Sequence, residues 1–167
     1  KSFSLGVLFD IRKGGDIYSF TNAVTAANGN ALFTQDNRLE WYAGAGGVVA
    51  DGILEDGRQN FIEVNPQTYW QYVGGRASAF AEEFIYDGSF IKLREVTLGW
   101  QLPTRLIEKT PFTKARFTIV GRNLFILHSN TPGFDPEATF NAGQDQGIEA
   151  FAFPATRSIG FNLNVSL

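Results

Sequence analysis

"SIGFNLNVSL", Ser158–Leu167, is the stretch on which the fold turns. Ile159, Phe161, Leu163, Val165 and Leu167 are apolar, and the residues between them are small or polar. Alternation with a period of two marks a strand, whose successive side chains point to opposite faces. It leaves open what the apolar face touches, because a protein core and a lipid bilayer both accept it.

The opening stretch "FSLGVLFDIR" repeats the pattern, with Phe3, Leu5, Val7, Phe9 and Ile11 on one face. "KGGD" follows as a glycine turn, and a partner strand is expected from Asp16 to about Ala26, making residues 3–26 a hairpin. From Asn28 the alternation dissolves into Gly, Asn, Asp and scattered aromatics, with "GAGGVVADG" and "EDGRQN" as breakers. Within this region "NPQTYWQYVGG" predicts a short helix, capped by Asn65, with Pro66 in its first turn and Gly74 and Gly75 as its stop. Alternation returns in "SFIKLREVTLGWQL", where Leu93 and Val96 fall on different parities and a bulge near Glu95 would reconcile them. "TKARFTIVGRNLFIL" is the next strand, and a polar loop precedes the last one.

The expected order is therefore five antiparallel strands, at about 3–12, 16–26, 89–102, 113–127 and 152–167, with loops at about 28–88 and 128–150. Their connections run short, very long, short, long. Successive neighbours alternate direction, so the short turns gather at one end and the long loops at the other. An outer-membrane barrel sorts its loops in this way, and a soluble sandwich has no reason to. Five strands cannot close such a barrel, and an open edge in lipid leaves backbone groups unpaired. The chain lacks Met and begins in mid-strand, so a fragment of a longer polypeptide is expected.

Composition narrows the chemistry. In 167 residues, 44% are apolar and 19% charged, with sixteen Phe, eighteen Gly and no Cys. Wholesale disorder is excluded by that balance, and a disulfide scaffold or thiolate metal site by the absent cysteine. No stretch approaches the length of apolar sequence a transmembrane helix needs. Net charge is −3, and thirteen of the seventeen acids lie in 28–88 and 126–150 with only three of the fourteen bases. An acidic chain without a clustered basic face does not suit nucleic acid.

Catalytic constellations are missing. His128 is the single histidine, so neither a His-based metal site nor a Cys–His dyad can be built. Glu82–Glu83 and Glu55–Asp56 are adjacent acids, not a pair spaced across a sugar. "GAGGVVADG" lacks the lysine of a phosphate loop. No enzyme activity and no cofactor are expected. Asp135 and Glu137, with Asp145 and Glu149 nearby, are weak candidates for Ca²⁺, which takes carboxylate oxygens. Trp41, Tyr42, Tyr69, Trp70 and Tyr72 are the candidates for contact with a substrate or partner, their flat faces suiting sugar rings or a protein surface. Arg94 and Arg116 lie on strands and are expected to face a barrel lumen, because charge on a lipid face costs about 2–4 kcal/mol near the midplane.

Several blocks carry a family resemblance. "YDGSFIKLREVTLGWQLP", Tyr86–Pro103, resembles the "D-x-SF-x-KLRE-x-x-L-x-Y-x-LP" block near the C-terminus of SusC/RagA-family TonB-dependent outer-membrane transporters. "GRNLFIL" at Gly121–Leu127 and "GFDPE" at Gly133–Glu137 resemble the next block. "FPATRSIGFNLNVSL" resembles the ending "P-x-x-R-x-x-x-x-G-x-x-x-x-F", and "FDIRKGGDIYSFTN" fits the hairpin before them. The blocks stand in family order, leaving only 28–65 unaligned. Trp100 replaces the usual Tyr, and Leu167 the usual terminal Phe.

The resemblance implies an all-β fold, in which this chain supplies the C-terminal five of about 22 transmembrane strands around a plug. It implies import of glycans or peptides across the outer membrane of a Gram-negative, Bacteroidetes-type bacterium. The implied partners are a SusD-like lipoprotein lid, the TonB complex (through an N-terminal part of the parent), the lipid bilayer, the remaining strands and plug, and the barrel-assembly machinery. Phe161, Leu163, Val165 and Leu167 would serve as the assembly signal. The rival reading from the residues alone is a soluble β-sandwich carbohydrate-binding module that uses the same aromatics.

Overall fold

The structure, a computed structural model, describes residues 2–75, 80–138 and 146–167. In chain order its elements begin with strand β1 (Phe3–Arg12), strand β2 (Asp16–Ser19), helix α1 (Phe20–Ala27) and helix α2 (Arg38–Tyr42). Then come the short strands β3 (Val48–Val49) and β4 (Glu63–Val64), helix α3 (Pro66–Val73) and strand β5 (Ile85–Asp87). The second half holds β6 (Phe90–Gln101), helix α4 (Thr104–Ile107), β7 (Lys114–Ser129), β8 (Ile148–Glu149) and β9 (Ser158–Ser166). The chain forms two compact units, one of Lys1–Gly15, Asp87–Ala138 and Phe153–Leu167, the other of Asp16–Tyr86 and Thr139–Ala152.

The first unit is a four-stranded sheet in the order β1-β6-β7-β9, antiparallel throughout. Register turns the sequence alternation into rows. Phe3 lies opposite Trp100, Trp100 opposite Phe117, and Phe117 opposite Leu163. The next row of that face is Leu5, Leu98, Ile119 and Phe161. Between them, on the other face, run Ser4, Gly99, Thr118 and Asn162. Two-residue periodicity in four strands, kept in phase by the ladder, thus yields one apolar and one polar face. Rings stack along the apolar face, Phe3 on Trp100 at 6.0 Å and Phe117 near Phe161 at 6.5 Å between centroids. No described residue covers it: Leu5 is 69% exposed and Phe161 78%.

The expected bulge is present. Leu8 faces Glu95 and Phe9 faces Leu93, so Arg94 is the extra residue of β6. It brings Leu93 and Val96 onto the same apolar face, as a single unpaired residue must in a period-two element.

The expected strand over 16–26 is corrected by the structure. Only Asp16–Ser19 is extended, and Phe20–Ala27 is helical. β1 does not pair with this segment. Its partner is β6, while β2 joins a small sheet in the order β5-β2-β8 and runs parallel to β8. Local chemistry explains the switch. Ser19 caps the helix by accepting from the Asn22 N–H at 3.1 Å, and three alanines in eight residues favour a helix more than a strand. The glycines of "KGGD" do turn the chain, with Gly14 and Gly15 at φ of +81° and +96°. They bring it to the start of β6 instead of into a hairpin, and the Gly88 N–H donates to the Gly15 carbonyl at 2.6 Å.

The sheet therefore has four long strands, and loop sorting survives in simpler form. β1 connects to β6 through a very long excursion, β6 to β7 through a short turn containing α4, and β7 to β9 through a second long loop.

The second unit is built on α1 and α3 around Ala23, Ala26, Val73 and Phe84, with Phe33, Tyr69, Trp70 and Tyr86 packed partly against them. α3 forms where the sequence predicts it. The Asn65 side chain accepts from the Gln67 N–H at 2.8 Å, Pro66 opens the first turn and Gly74 ends the helix. Glu149 is buried here, accepting from the Ser19 and Thr21 hydroxyls at 2.6 Å each.

Candidate functional site

On the polar face of the sheet, charges from two strands and a loop meet, and a third strand adds the Asn123 amide. Lys92 follows the alternation of β6 away from the apolar face and lies opposite Asp10 of β1. Its ammonium donates to Asp135 at 2.5 Å and to Glu137 at 2.6 Å, with Lys92 only 5% and Asp135 only 6% exposed. Arg94, projected by the bulge, donates to Glu137 at 2.7 Å, to the Asn123 side chain at 3.1 Å, and to Asp10. Asp135 also accepts the N–H groups of Glu137 and Ala155, at 3.0 and 3.1 Å. The Phe90 ring lies 5.0 Å from the ammonium. Together these groups latch the loop of residues 131–138 onto the N-terminal half of β6, and every oxygen of the buried carboxylate is engaged, as burial of charge demands.

Asp135 and Glu137, weak Ca²⁺ candidates from sequence, thus have Lys92 and Arg94 as their cationic partners. Among the described residues no group of three or more acidic or histidine side chains is arranged to hold a metal, and Asp145 lies outside the described residues. Burial opposes ionisation of both carboxyls. Hydrogen bonds from Lys92 to Asp135, and from Arg94 and Lys92 to Glu137, outweigh it and hold both below the usual carboxylate range. A carboxyl whose folded value is lowered adds stability that is complete above the ordinary value of about 4 and disappears as pH falls through the lower folded value. Hydrogen exchange across 131–138 in the full-length parent protein is therefore expected to be slow and constant from pH 7 to about pH 5, and to rise steeply below about pH 4 relative to the intrinsic rate.

Arg116 lies on the same polar face, opposite Gln101 and Asn164, and donates to the Ser4 hydroxyl at 2.7 Å. Its guanidinium crosses β6 directly over Gly99, where an added Cβ would stand 2.8 Å from Nη2. Phe161, Leu163 and Val165 of β9, followed by Leu167, are exposed, and among the described residues β9 pairs only with β7.

The second unit holds the aromatic candidates and separates them. Trp70 packs edge-on against Tyr69 at 5.0 Å and Phe33 at 5.2 Å, and Tyr72 lies 5.8 Å from Phe80. Tyr42 and Tyr72 are the exposed members, at 73% and 71%. Tyr42 and Trp70 share a cleft of about 410 Å³ with Arg38, Asn65 and Gln71. Tyr69, Trp70 and Tyr72 line a second cleft of about 810 Å³. Trp41 lines neither and sits beside Gly47.

Sequence reasoning missed the Lys92–Asp135 pair and the part played by Asp10. The available signal was a lysine, an arginine and a glutamate inside one strand, "FIKLRE", since buried strand charges need partners. Which loop supplies them has no local signature.

A sheet with one bare apolar face, charges confined to the other, and long connections gathered at one end defines the class: part of a β-barrel wall, here with its edges at β1 and β9 unclosed. No family model matches the chain. It is similar to TonB-dependent receptor P3 of Formosa agariphila, 25% identical over 171 residues, covering 99% of this chain. The chain spans 15% of that relative's length. Among solved structures it is similar in fold to the RagAB peptide transporter, with a TM-score of 0.60 and 20% identity over 99% of this chain and 16% of that one. It matches the RagAB peptide importer with TM-scores of 0.61 in the "closed-closed" state and 0.58 in the "open-open" state. Those matches are 20% and 18% identical, covering 99% and 100% of this chain and 16% of the other in each case. In sequence the chain is thus similar to a stretch of a TonB-dependent receptor, and in fold to a stretch of the RagAB transporter.

Proposed function

We propose that this chain forms the closing stretch of an outer-membrane importer's barrel in a Gram-negative bacterium. The importer is energised through TonB and brings in glycans or peptides under a SusD-like lipoprotein lid. The observation that supports this most is the uncovered apolar face of the four-stranded sheet, bearing Leu5, Leu98, Ile119 and Phe161. A soluble sandwich would bury such a face beneath a second sheet, and that is why the carbohydrate-module reading is not favoured. In the barrel, Arg94 and Arg116 face the lumen, and Phe161, Leu163 and Val165 of β9, with Leu167 after it, present the signal to the assembly machinery. The plug and the TonB contact are assigned to other parts of the parent protein. The chain's role is transport, with no catalysis.

Tyr42 and Tyr72 are the most exposed of the five aromatics that would meet lid or cargo. Two experiments test the reading. A strain deleted for the full-length receptor is expected to lose uptake of labelled peptides or glycans, as is a strain lacking TonB, and undiminished uptake in both would overturn it. Full-length receptor carrying Tyr42→Ala and Tyr72→Ala is expected to assemble in normal amount but to lose about tenfold in uptake or lid retention, the scale of removing one good aromatic contact. Unchanged uptake and lid retention would remove these residues from the contact surface.

A further inference from the structure

The larger cleft of the second unit carries more information than its aromatic walls. Val48 and Val64, paired across the β3–β4 ribbon, form one side, and Tyr69, Tyr72 and Val73 of α3 form another. Asp51, Glu82 and Glu83 stand at its edge, and no Lys, Arg or His is among its described lining residues. None of the three carboxylates forms a salt bridge with a described residue. Their field reaches the wall. Burial first, and then the negative charges of Glu83 and Asp51, push the Tyr69 phenol above its ordinary value.

The surrounding sequence deepens the imbalance. Residues 28–88 hold nine acids and three bases. Arg58 is paired with Asp56, and Arg38 is spent on the Thr34 and Gly29 carbonyls. The third, Arg76, lies outside the described residues. At about 810 Å³ the cleft has the size of a ligand site, which typically runs from about 300 to 1,000 Å³.

An apolar, aromatic cleft rimmed by carboxylates that pair with no described cation is complementary to a long apolar stem that ends in a cation. We propose that this cleft takes the Lys or Arg side chains of a cargo peptide, the stem lying against Tyr69 and Tyr72 and the charged head among Asp51, Glu82 and Glu83. The stem then buries its methylenes, the head meets negative charge, and the tyrosine rings add a cation–π contact. This rests on the importer reading and names the chemistry of the cargo it prefers.

The test uses purified full-length receptor with its lid and three fluorescent hexapeptides, identical except for Lys, Gln or Glu at two positions. By anisotropy at low salt, the Lys peptide is expected to bind about tenfold tighter than the Gln peptide, and the Glu peptide more weakly than either. Salt at about 0.5 M should narrow the range, because rim charges are screened. The variant D51N/E82Q/E83Q changes only exposed side chains, and it should abolish the Lys preference. Equal affinities for the three peptides, or a Lys preference that survives the triple variant, would overturn the proposal. Cellular uptake of the Gln peptide separates the two claims. Uptake without a Lys preference removes the site and leaves the importer, whereas a Lys preference in binding without uptake of any peptide leaves the site and removes the importer.

Discussion

Lys92→Met is expected to be the most damaging single substitution in the polar half of this chain. Its ammonium holds Asp135 at 2.5 Å and Glu137 at 2.6 Å, and both Lys92 and Asp135 are almost fully buried. Methionine keeps the stem and removes the charge, which leaves the Asp135 carboxylate buried without its main partner. Breaking a buried pair from one side costs roughly 3–5 kcal/mol, because the surviving charge cannot regain water. The double variant Lys92→Met with Asp135→Leu removes both charges, and it is expected to recover most of that loss, since a matched apolar replacement of a buried pair is often close to neutral. Thermal unfolding of the full-length barrel, followed with hydrogen exchange over 131–138, reads both. A Lys92→Met protein as stable as the parent, or a double variant worse than the single, would show that the latch holds nothing. Arg94→Gln should cost less, because Arg94 is partly exposed and shares Glu137 with Lys92.

Ile119→Arg is expected to prevent assembly in the outer membrane, while Thr118→Arg is tolerated. The two residues are neighbours on β7, yet Ile119 lies in the apolar row with Leu98 and Phe161, and Thr118 lies in the polar row with Gly99 and Asn162. Arginine on a lipid face costs about 2–4 kcal/mol near the midplane and little on a lumen face. The pair therefore tests the bilayer reading by its asymmetry, since a general intolerance of arginine on this strand would harm both. Outer-membrane fractionation and resistance to unfolding in detergent at room temperature are the readouts. Equal behaviour of the two variants would mean that the apolar face meets something other than lipid.

The two latched carboxylates show how far local signals reach. "GFDPE" identifies Asp135 and Glu137 as acids in a turn, and that alone is compatible with solvent, a cation or a salt bridge. Lys92 is forty-three residues away from Asp135 in sequence, and the choice is made only when β6 and the second long loop are brought to the same end of the sheet. The aromatic set shows the same division. "PQTYWQY" places Tyr69, Trp70 and Tyr72 within one helix, but burial against Phe33 and Ala26's neighbours separates Trp70 from the exposed Tyr72. The misassigned strand at 16–26 is instructive for another reason. Tyr18, Phe20 and Val24 satisfy a period of two, but a Ser cap at Ser19 and the run of small residues behind it satisfy a helix better, and tertiary packing of Ala23 and Ala26 against α3 decides between them.

Four strands were legible from alternation alone, because a strand's two faces meet different surroundings and the pattern is written into every second residue. Sorting of loop lengths and a bulge near Glu95 were legible too, since each follows from counting residues between strands or between parities. Partnership was not. That β1 pairs with β6 across a long excursion, that Asp10 and Asp135 converge on the two cations of "FIKLRE", and that Tyr69 and Tyr72 share a cleft with Asp51 are all consequences of which segments become neighbours. Non-local contacts depend on the free energy of the whole packed chain, and no short window of residues contains it.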